Sequence, residues 1–406
     1  MKATFRRLLA TTTLAACLTA AGAAIAGPDA VRIGLLMDMS GNYSDVAGAG
    51  SVAAAEMAVE DFGGEVLGKP IEIVSADMQN KVDIATSIAR EWFDVENVDA
   101  ILDANMSSAG LAVSEIALEK DRIMVMNISG SPRFTNENCN PNTVHYVYDT
   151  YALANSTGRA IVEEGRKKWF FVTVDYTFGH DFQRETTDAV VAAGGEVVGS
   201  VLVPLNAPDY SSYLMQALAS DADVVAFATA GADTSNAIKQ AAEFGIGQGD
   251  GKTVAGLLVY INEIDALSLE VAQGMMLTSA FYWDMNDETR AFSERYEERM
   301  GKKPNMSQAG VYSSTMHYLK SMETAGTDEA GPVMAKMKEL RINDFFVKDG
   351  YIRADGRMMN PLHLFRVKSP AESTGRWDYY ELIRTIPPEE SYTPVEKSRC
   401  SLLSQN

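Results

Sequence analysis

Two adjacent serines, Ser107 and Ser108, have the residue type and the position that suit an anion-binding site. They follow a predicted strand over 99–103 and lead into a predicted helix that begins near Ala109. Hydroxyl groups and free backbone N–H groups at a helix start attract negative charge, and the helix dipole reinforces the attraction. The structural alternative is that one serine simply caps the helix.

The patterns expected of a hydrolase or a metalloenzyme do not occur in the sequence. The histidines are His145, His180, His317 and His363. None belongs to an H-E-x-x-H motif, and no G-x-S-x-G nucleophile elbow is present. The glycine-rich pieces 48–50 and 247–249 lack the spacing and the strand–helix context of a nucleotide-binding loop. We therefore expect neither an enzyme nor a bound metal or other cofactor.

The N-terminus has the three parts of a secretory leader. A positively charged segment over 2–7 precedes an apolar stretch, and 24–26 (Ala-Ile-Ala) supplies a cleavage site. These features predict a signal peptide over 1–26 and a mature protein in the periplasm. Residues 14–17, ending in Cys17, also fit a lipoprotein cleavage pattern, although the residues that follow are still apolar. No later apolar run approaches the roughly 20 residues that a membrane span needs.

Two cysteines, Cys139 and Cys400, remain once the predicted leader is removed. In an oxidising compartment, two cysteines most simply form a disulfide with each other. The bridge would tether the C-terminal tail to the loop over 138–142, which is rich in asparagine and proline. The alternative is a pair of free thiols.

The composition suits an acidic protein with two domains. The chain has 406 residues and a formal net charge of −20, and loss of the basic leader makes the mature protein more acidic. Such a charge argues against binding to nucleic acid or to an anionic membrane surface. The length exceeds that of one ordinary hydrophobic core. We expect a monomer.

Strand and helix signals alternate along the chain, which predicts parallel sheets with right-handed crossovers. Strand signals lie at 31–37, 71–76, 99–103, 122–127, 168–174, 196–202, 222–228, 254–258 and 275–280. Helical periodicity lies between them, at 48–62, 81–95, 109–119, 151–164, 180–193, 210–219 and 233–244. The order strand, turn, helix, Gly-Gly, strand occurs twice, from Ile33 and from Trp169. The predicted fold class is α/β, with two Rossmann-like lobes and parallel central sheets.

At this level of detail the chain resembles the type I periplasmic binding proteins of ABC importers, in the branch of the leucine/isoleucine/valine-binding and amide-binding receptors. The segments that carry the resemblance are 33–41, 48–74, 99–116 and 175–182, in the order and spacing of the family. The resemblance implies two lobes that close over a ligand, joined by a three-segment hinge near 146–151, 277–283 and 358–365. The implied division is 27–147 plus 281–357 for the N-terminal lobe, 148–280 plus 358–390 for the C-terminal lobe, and 391–406 for a tethered tail.

The resemblance also implies ligand-binding residues in the cleft. It favours Ser107 as the serine that binds a ligand carboxylate, with Ser129 and Ser131 at the same end of the ligand. Tyr43 would cover the ligand, and Phe178 would form an apolar wall. The structural alternatives are ordinary turns for Ser129 and Ser131, a partly exposed loop for Tyr43 and core packing for Phe178.

Loops of the second lobe depart from the family pattern and leave the ligand class open. Asp233 and Glu263 lie where either could pair with a ligand's ammonium group, and the alternative is that both face solvent. Without a carboxylate partner, burying an ammonium group would be costly. Tyr43, Phe178 and Tyr260 would suit a flat ring. The expected ligand is a small carboxylate-bearing solute of the branched-chain or other amino acid class, and an aromatic acid or an amide is the alternative.

The expected function is capture of this small-molecule ligand for the permease subunits of an ABC transporter. The rival from another class is a ligand sensor that serves a separate signalling receptor, because the sequence contains no output segment of its own. An exported enzyme on the same fold is a further rival, which the missing catalytic motifs disfavour.

Overall fold

The structure, a computed structural model, describes residues 30–249 and 251–405. The predicted signal peptide over 1–26, with Cys17, lies outside the described residues. Within the described ranges, no helix is both long enough and apolar enough to cross a bilayer.

The first part of the chain forms a six-stranded sheet with helices packed on it, which we call the first lobe. Its strands are β1 Val31–Met37, β2 Glu65–Val66, β3 Lys69–Asp77, β4 Ala100–Ala104, β5 Ile123–Met126 and β6 Thr143–His145. The sheet order is β2-β3-β1-β4-β5-β6, and every pairing except that of β2 with β3 is parallel. Its helices are α1 Gly48–Phe62, α2 Val82–Asp94 and α3 Ser107–Glu119.

The middle of the chain forms a second, four-stranded sheet, which with its helices we call the second lobe. The strands are β7 Lys168–Val174, β8 Glu196–Val203, β9 Val224–Ala228 and β10 Thr253–Gly256, all parallel in the order β10-β9-β7-β8. The helices are α4 Thr150–Leu153, α5 Arg159–Glu163, α6 Thr177–Ala192, α7 Ser211–Ala219, α8 Ala232–Glu243, α9 Ile261–Leu267 and α10 Leu269–Ala272. A π-helical turn, Ala154–Gly158, joins α4 to α5.

The last part of the chain returns to both lobes. Its elements are β11 Met276–Ser279, α11 Asp287–Met300, α12 Met306–Ala325, α13 Ala330–Glu339, β12 Tyr351–Ile352, β13 Met358–Met359, β14 Leu362–Val367, β15 Tyr380–Ile386 and α14 Pro388–Ser391. Helix α12 packs on α1 of the first lobe and is buried over most of its length. Strands β11, β14 and β15 form an antiparallel sheet, which the sequence did not predict.

The two parallel sheets confirm the predicted α/β class. Strand β1 and helix α1 have the predicted bounds, whereas α3 begins at Ser107 rather than near Ala109. In a sheet with helices on its faces, the strand ends that carry the following loops lie along one edge. The loops after β1, β4 and β5 therefore share one edge of the first sheet, and those after β7 and β9 share one edge of the second.

The C-terminal tail is fastened to the first lobe, as predicted, by a disulfide between Cys139 and Cys400. Between β15 and that disulfide, the hydroxyl of Tyr392 lies 3.1 Å from the carbonyl oxygen of Val147 and 2.7 Å from Oδ1 of Asn360. The guanidinium of Arg357 stacks on the Tyr392 ring at 4.2 Å. The tail thus covers two of the segments by which the chain passes between the lobes.

Candidate functional site

The loop after β1 reaches from the first lobe to the second. Asp38 shapes this loop, because its carboxylate accepts the backbone N–H groups of Gly41 at 2.7 Å and Tyr43 at 2.9 Å. The carbonyl oxygen of Asn42 then accepts the N–H of Ala232, the first residue of α8, at 3.1 Å. The lobes are therefore in contact, and we call the region between the loop edges of their two sheets the interlobe cleft.

Tyr43 lies inside this cleft. Only 3% of its surface is exposed, and its hydroxyl lies 2.7 Å from the hydroxyl of Tyr176, which precedes α6. Its ring packs against Gly231, where a Cβ atom would lie 2.7 Å from a ring carbon and where φ is +65°. Only glycine suits both that backbone angle and that contact. Tyr43 is thus a buried contact between the lobes and not a partly exposed loop residue.

A second pair of tyrosines lies in the same region. The hydroxyls of Tyr148, between β6 and α4, and Tyr260, before α9, are 2.8 Å apart. The hydroxyl of Ser307 lies 3.3 Å from that of Tyr260. Burial is the main cause that raises the pKa of both tyrosine hydroxyls, so they are neutral hydrogen-bonding groups near neutral pH.

Asp103 is a buried carboxyl group near the end of β4. It is fully buried, and its φ of +138° is unusual for a residue with a side chain. Its Oδ2 accepts the backbone N–H of Asn127 at 3.2 Å, but its Oδ1 has no hydrogen-bond partner among the described residues. Burial raises the pKa of Asp103 to about 8. A buried polar atom without a partner is costly and marks a position where a ligand can supply one.

Two neighbours on the same edge of the first sheet also have unused hydrogen-bonding atoms. Ser107 begins α3, and its buried Oγ has no partner among the described residues. Asn127 follows β5, and both polar atoms of its side-chain amide are likewise buried without a partner. The residue that caps α3 is Met106, which makes no side-chain capping bond, so neither serine caps the helix as the alternative proposed. Ser108 is only partly buried.

The two serines of the next loop have partners within the protein. The hydroxyl of Ser129 donates to the carbonyl oxygen of Ala104 at 2.6 Å, which holds the loop to the end of β4. The hydroxyl of Ser131 donates to Asp181 of α6 at 2.5 Å, and Asp181 also pairs with Arg184 at 2.7 Å. Ser129 therefore stabilises the first lobe, while Ser131 connects the two lobes.

Phe178 contributes an aromatic surface to the same contact between the lobes. Its ring centroid lies 5.4 Å from that of Phe182 and 6.1 Å from that of Tyr176. It also faces Gly130 of the first lobe, where a Cβ atom would lie 3.1 Å from the rings of Phe178 and Tyr148. Phe178 therefore packs at the cleft and not solely within the second lobe.

The two candidate carboxylates of the second lobe are buried and do not face solvent. Oε2 of Glu263 accepts the backbone N–H of Tyr260 at 2.6 Å at the start of α9, and its Oε1 has no partner among the described residues. Oδ2 of Asp233 accepts the N–H of Asn206 at 3.0 Å. Burial is the main cause that raises the pKa of Glu263 and brings that of Asp233 to about 6.

An open cavity of about 260 Å³ lies at one side of the cleft, between the loop after β1 and helices α8 and α9. Asn42 and Asp45 line it from the first lobe, and Lys239, Asn262 and Glu263 line it from the second. The cavity thus opens beside Glu263, which is itself buried. Among the residues that the structure describes, no three His, Cys, Asp or Glu side chains are grouped as a metal site requires.

A family model described as periplasmic binding protein matches residues 30–375. The chain belongs to the periplasmic binding protein family. Members of this family are solute-binding receptors, so the protein is a receptor and not an enzyme. The predicted resemblance to the Leu/Ile/Val-binding branch of the family is confirmed by relatives that are named for that branch.

The similarity to known proteins extends over most of this chain. A Leu/Ile/Val-binding protein homolog 6 of Brucella abortus is 28% identical over 341 residues, which are 81% of this chain and 85% of the relative. A crystal structure of a periplasmic binding protein from Burkholderia mallei matches with 47% identity and a TM-score of 0.90, over 93% of this chain and all (100%) of the other. A branched chain amino acid ABC transporter periplasmic ligand-binding protein from Burkholderia xenovorans matches with 38% identity and a TM-score of 0.81, over 92% and 100%.

Four residues of the receptor's cleft were not among the predicted site residues. Asp103 and Asn127 come at the loop ends of predicted strands, so the rule that strand ends meet at one edge could have found them. Tyr176 likewise follows the predicted strand over 168–174, so the same rule could have found it. Tyr148, between β6 and α4, gave no such signal, and its contact with Tyr260 is established only by the folded chain.

Proposed function

We propose that this periplasmic binding protein is the substrate-binding component of an ABC importer and that it captures a small carboxylate-bearing solute, of the branched-chain or other amino acid class. The observation that carries the proposal is the set of buried side-chain atoms at the loop edge of the first sheet, on Asp103, Ser107 and Asn127, that no described residue partners. The names of the relatives from Brucella abortus and Burkholderia xenovorans support the same ligand class.

The proposed mechanism is closure of the two lobes over the ligand. A ligand that touches both lobes favours the closed arrangement because it gains contacts there that the open arrangement lacks. We propose the predicted lobe boundaries for this movement: 27–147 plus 281–357 against 148–280 plus 358–390, with 391–406 as the tail. The closed form would then dock on the permease subunits from the periplasm.

Within the cleft, the proposed roles differ between the predicted residues. Ser107 donates its free hydroxyl to the ligand's carboxylate, with Ser108, Ser129 and Ser131 in the surrounding loops. Tyr43, Phe178 and Tyr260 enclose the ligand's apolar part. Asp233 and Glu263 supply negative charge on the second lobe.

An aromatic acid is a second candidate ligand, because tyrosine and phenylalanine rings line the cleft from both lobes. A solute binding protein from R. palustris in complex with benzoate has the same fold, with a TM-score of 0.80 at 20% identity. That identity supports the fold alone.

A thermal-shift screen of the mature protein tests the proposal. The panel contains the branched-chain and aromatic amino acids, benzoate, 4-hydroxybenzoate, short amides and short dicarboxylates. A true ligand at about 100 times its dissociation constant adds about 2.7 kcal/mol to the free energy of unfolding. Small-angle scattering with and without that ligand then measures closure. Absence of stabilisation by every compound would contradict the proposed ligand classes.

A further inference from the structure

The carboxyl group of Asp103 is a polar group of the cleft whose burial is not compensated in full by hydrogen bonds. It is fully buried, and one of its two oxygens, Oδ1, has no hydrogen-bond partner among the described residues. Its backbone holds a φ of +138°, a conformation that residues with side chains rarely adopt. Such strained positions are concentrated at functional sites. A role in packing alone would be met at lower cost by an apolar residue.

The groups that face Asp103 carry no compensating positive charge. The backbone N–H groups of Asn127, Ile128 and Ala104 lower its pKa, although less than burial raises it, and the neutral hydroxyls of Tyr148 and Tyr260 are close enough to interact with it electrostatically. Within the described chain, no Lys, Arg or His side chain donates a hydrogen bond to this carboxyl or forms an ion pair with it. The described residues therefore do not supply the positive partner that an ionised Asp103 requires.

The second lobe adds further acidic groups to the cleft. Glu263 has a buried oxygen without a partner, and Asp233 is buried as well. Lys302 pairs with Asp45 at the edge of the cleft, so its charge is already matched. Apart from the exposed Lys239, which lines the cavity at one side, the ionisable side chains named in the cleft are acidic, and a ligand with only a negative charge would gain no ion pair with them whether they are protonated or ionised. A ligand with a positively charged nitrogen would be attracted by the same groups.

We infer that Asp103 of the first lobe binds a protonated nitrogen of the ligand, so that the receptor selects amine-bearing solutes and rejects nitrogen-free aromatic and aliphatic acids. This inference rests on the proposed function and decides between its two ligand classes. Ser107, four residues further along the chain at the start of α3, remains available for the carboxylate of the same zwitterion. Asp103 is thus a specificity-determining residue on the lobe opposite Asp233 and Glu263.

The raised pKa of Asp103 gives the inference a second readout. Burial without a positive partner brings this pKa to about 8, so the carboxyl of the closed, ligand-free protein carries a proton at neutral pH. An ammonium group bound beside it favours the ionised carboxylate, and the displaced proton passes to the buffer. Binding of an amine-bearing ligand then releases a proton, and binding of a nitrogen-free acid does not release one from Asp103.

Titration calorimetry of the mature protein with matched probes tests the inference. The probes are L-leucine with 4-methylpentanoate, which lacks the nitrogen, and L-phenylalanine with 3-phenylpropanoate, together with benzoate. We expect at least one amino acid to bind and its nitrogen-free analogue to bind about tenfold to a hundredfold more weakly, as for loss of a charged hydrogen bond. Measurement in two buffers of different ionisation enthalpy should detect proton release.

The variant Asp103→Asn removes the charge at nearly constant size. This variant should bind the amino acid more weakly by a similar factor, so that its affinity comes close to that of the nitrogen-free analogue. Binding of the amino acid should then release no proton. Asp94→Asn is the matched control, because Asp94 is a surface residue of the same lobe that pairs with Lys120 outside the cleft. The control should bind as the unmodified protein does.

The possible results separate the inference from the proposed function. If benzoate or a nitrogen-free analogue binds the unmodified protein as tightly as the amino acid, the inference is wrong while the receptor function stands. If none of the probes binds, the proposed ligand classes are wrong and the inference falls with them. If Asp103→Asn does not fold, the comparison of matched probes on the unmodified protein still decides, because it needs no variant.

Discussion

The two sides of the interlobe cleft use their buried polar groups differently. On the first lobe, Ser107 and Asn127 have side-chain atoms that no described residue satisfies, and Asp103 has one such oxygen. On the second lobe, Asp233 and Glu263 each direct a carboxylate oxygen to a backbone N–H of their own lobe. A polar group with a partner inside the protein stabilises the fold, whereas one without a partner is available to a ligand. We therefore propose that the first lobe carries most of the recognition, whereas the carboxylates of the second lobe also shape their own loops.

The largest expected effect concerns the disulfide, which holds the tail to the loop beyond Ser129 and Ser131. Replacing both Cys139 and Cys400 by serine should lower the free energy of unfolding by about 2–5 kcal/mol, as for native bridges in secreted proteins. Chemical denaturation measures this loss. Ligand affinity should change little, because neither cysteine is among the proposed recognition groups of the first lobe. Unchanged melting would show that the tail is held by its other contacts.

Removal of the Ser107 hydroxyl should have the next largest effect, and it should appear in binding. Ser107→Ala deletes a hydrogen bond to a charged group of the ligand, worth about 1.5–3 kcal/mol, which corresponds to about a tenfold to hundredfold loss of affinity. Melting without ligand should be unchanged, because the Oγ has no hydrogen-bond partner in the described part of the chain. Ser108→Ala, at the neighbouring and only partly buried serine, should weaken binding less. An unchanged dissociation constant for Ser107→Ala would remove Ser107 from the site.

The pH dependence of stability should test whether the buried carboxyl of Asp103 on the first lobe is protonated. Burial raises the pKa of Asp103 from an ordinary 3.8 to about 8, so between these values the folded protein holds a proton that the unfolded chain has released. The contribution of Asp103 to stability therefore falls as pH rises through this window, by at most about 1.4 kcal/mol per pH unit.

Ligand-free Asp103→Asn should lack this part of the pH slope, which denaturation curves at pH 5 to 8 can measure. Other buried carboxyls with raised pKa values, such as Asp149 and Glu263, contribute in the same direction and remain in the variant. The difference between the two slopes thus isolates Asp103. Equal slopes would mean that its carboxyl is ionised in the folded protein throughout this range.

The smallest effect is expected on the second lobe. Glu263→Ala removes the acceptor for the backbone N–H of Tyr260 at the start of α9 and should cost about 1 kcal/mol of stability, as for loss of a helix cap. Glu263→Gln keeps an acceptor and is the matched control. Glu263→Ala should weaken ligand binding less than Ser107→Ala does. If Glu263→Ala instead weakened ligand binding more than Ser107→Ala does, with unchanged melting, the second lobe would be the main site of ligand recognition.

Most of the architecture followed from local patterns in the sequence. Apolar runs of strand length alternate with helical periodicity, and β1, β7 and α1 have the bounds that these patterns predict. The antiparallel sheet of β11, β14 and β15 was not predicted. Its strands span residues 276–386 with other elements between them, so their pairing depends on contacts that no local period reveals.

The site was predicted less completely than the fold. Residue type and position at a helix start, both local properties, pointed to Ser107 and Ser108, and the family resemblance favoured Ser107, whose role in the site stays a prediction. Asp103 was overlooked, because a carboxylate at a strand end is common and its burial cannot be judged from its neighbours in the chain. Tyr176 follows a predicted strand of the second lobe, so the strand-end rule covers it, whereas no spacing in the sequence indicates that Tyr148, between β6 and α4, reaches the cleft.

The sequence by itself determined the α/β class, the two-lobed organisation and the identity of the cysteines that pair, because hydrophobic period, repeat order and cysteine count are properties of the chain alone. Only the tertiary structure decided which polar groups are left without partners. Whether a hydroxyl or a carboxylate is satisfied depends on atoms brought beside it by distant segments, as Asp181 is brought to Ser131 and none is brought to Oδ1 of Asp103 among the described residues.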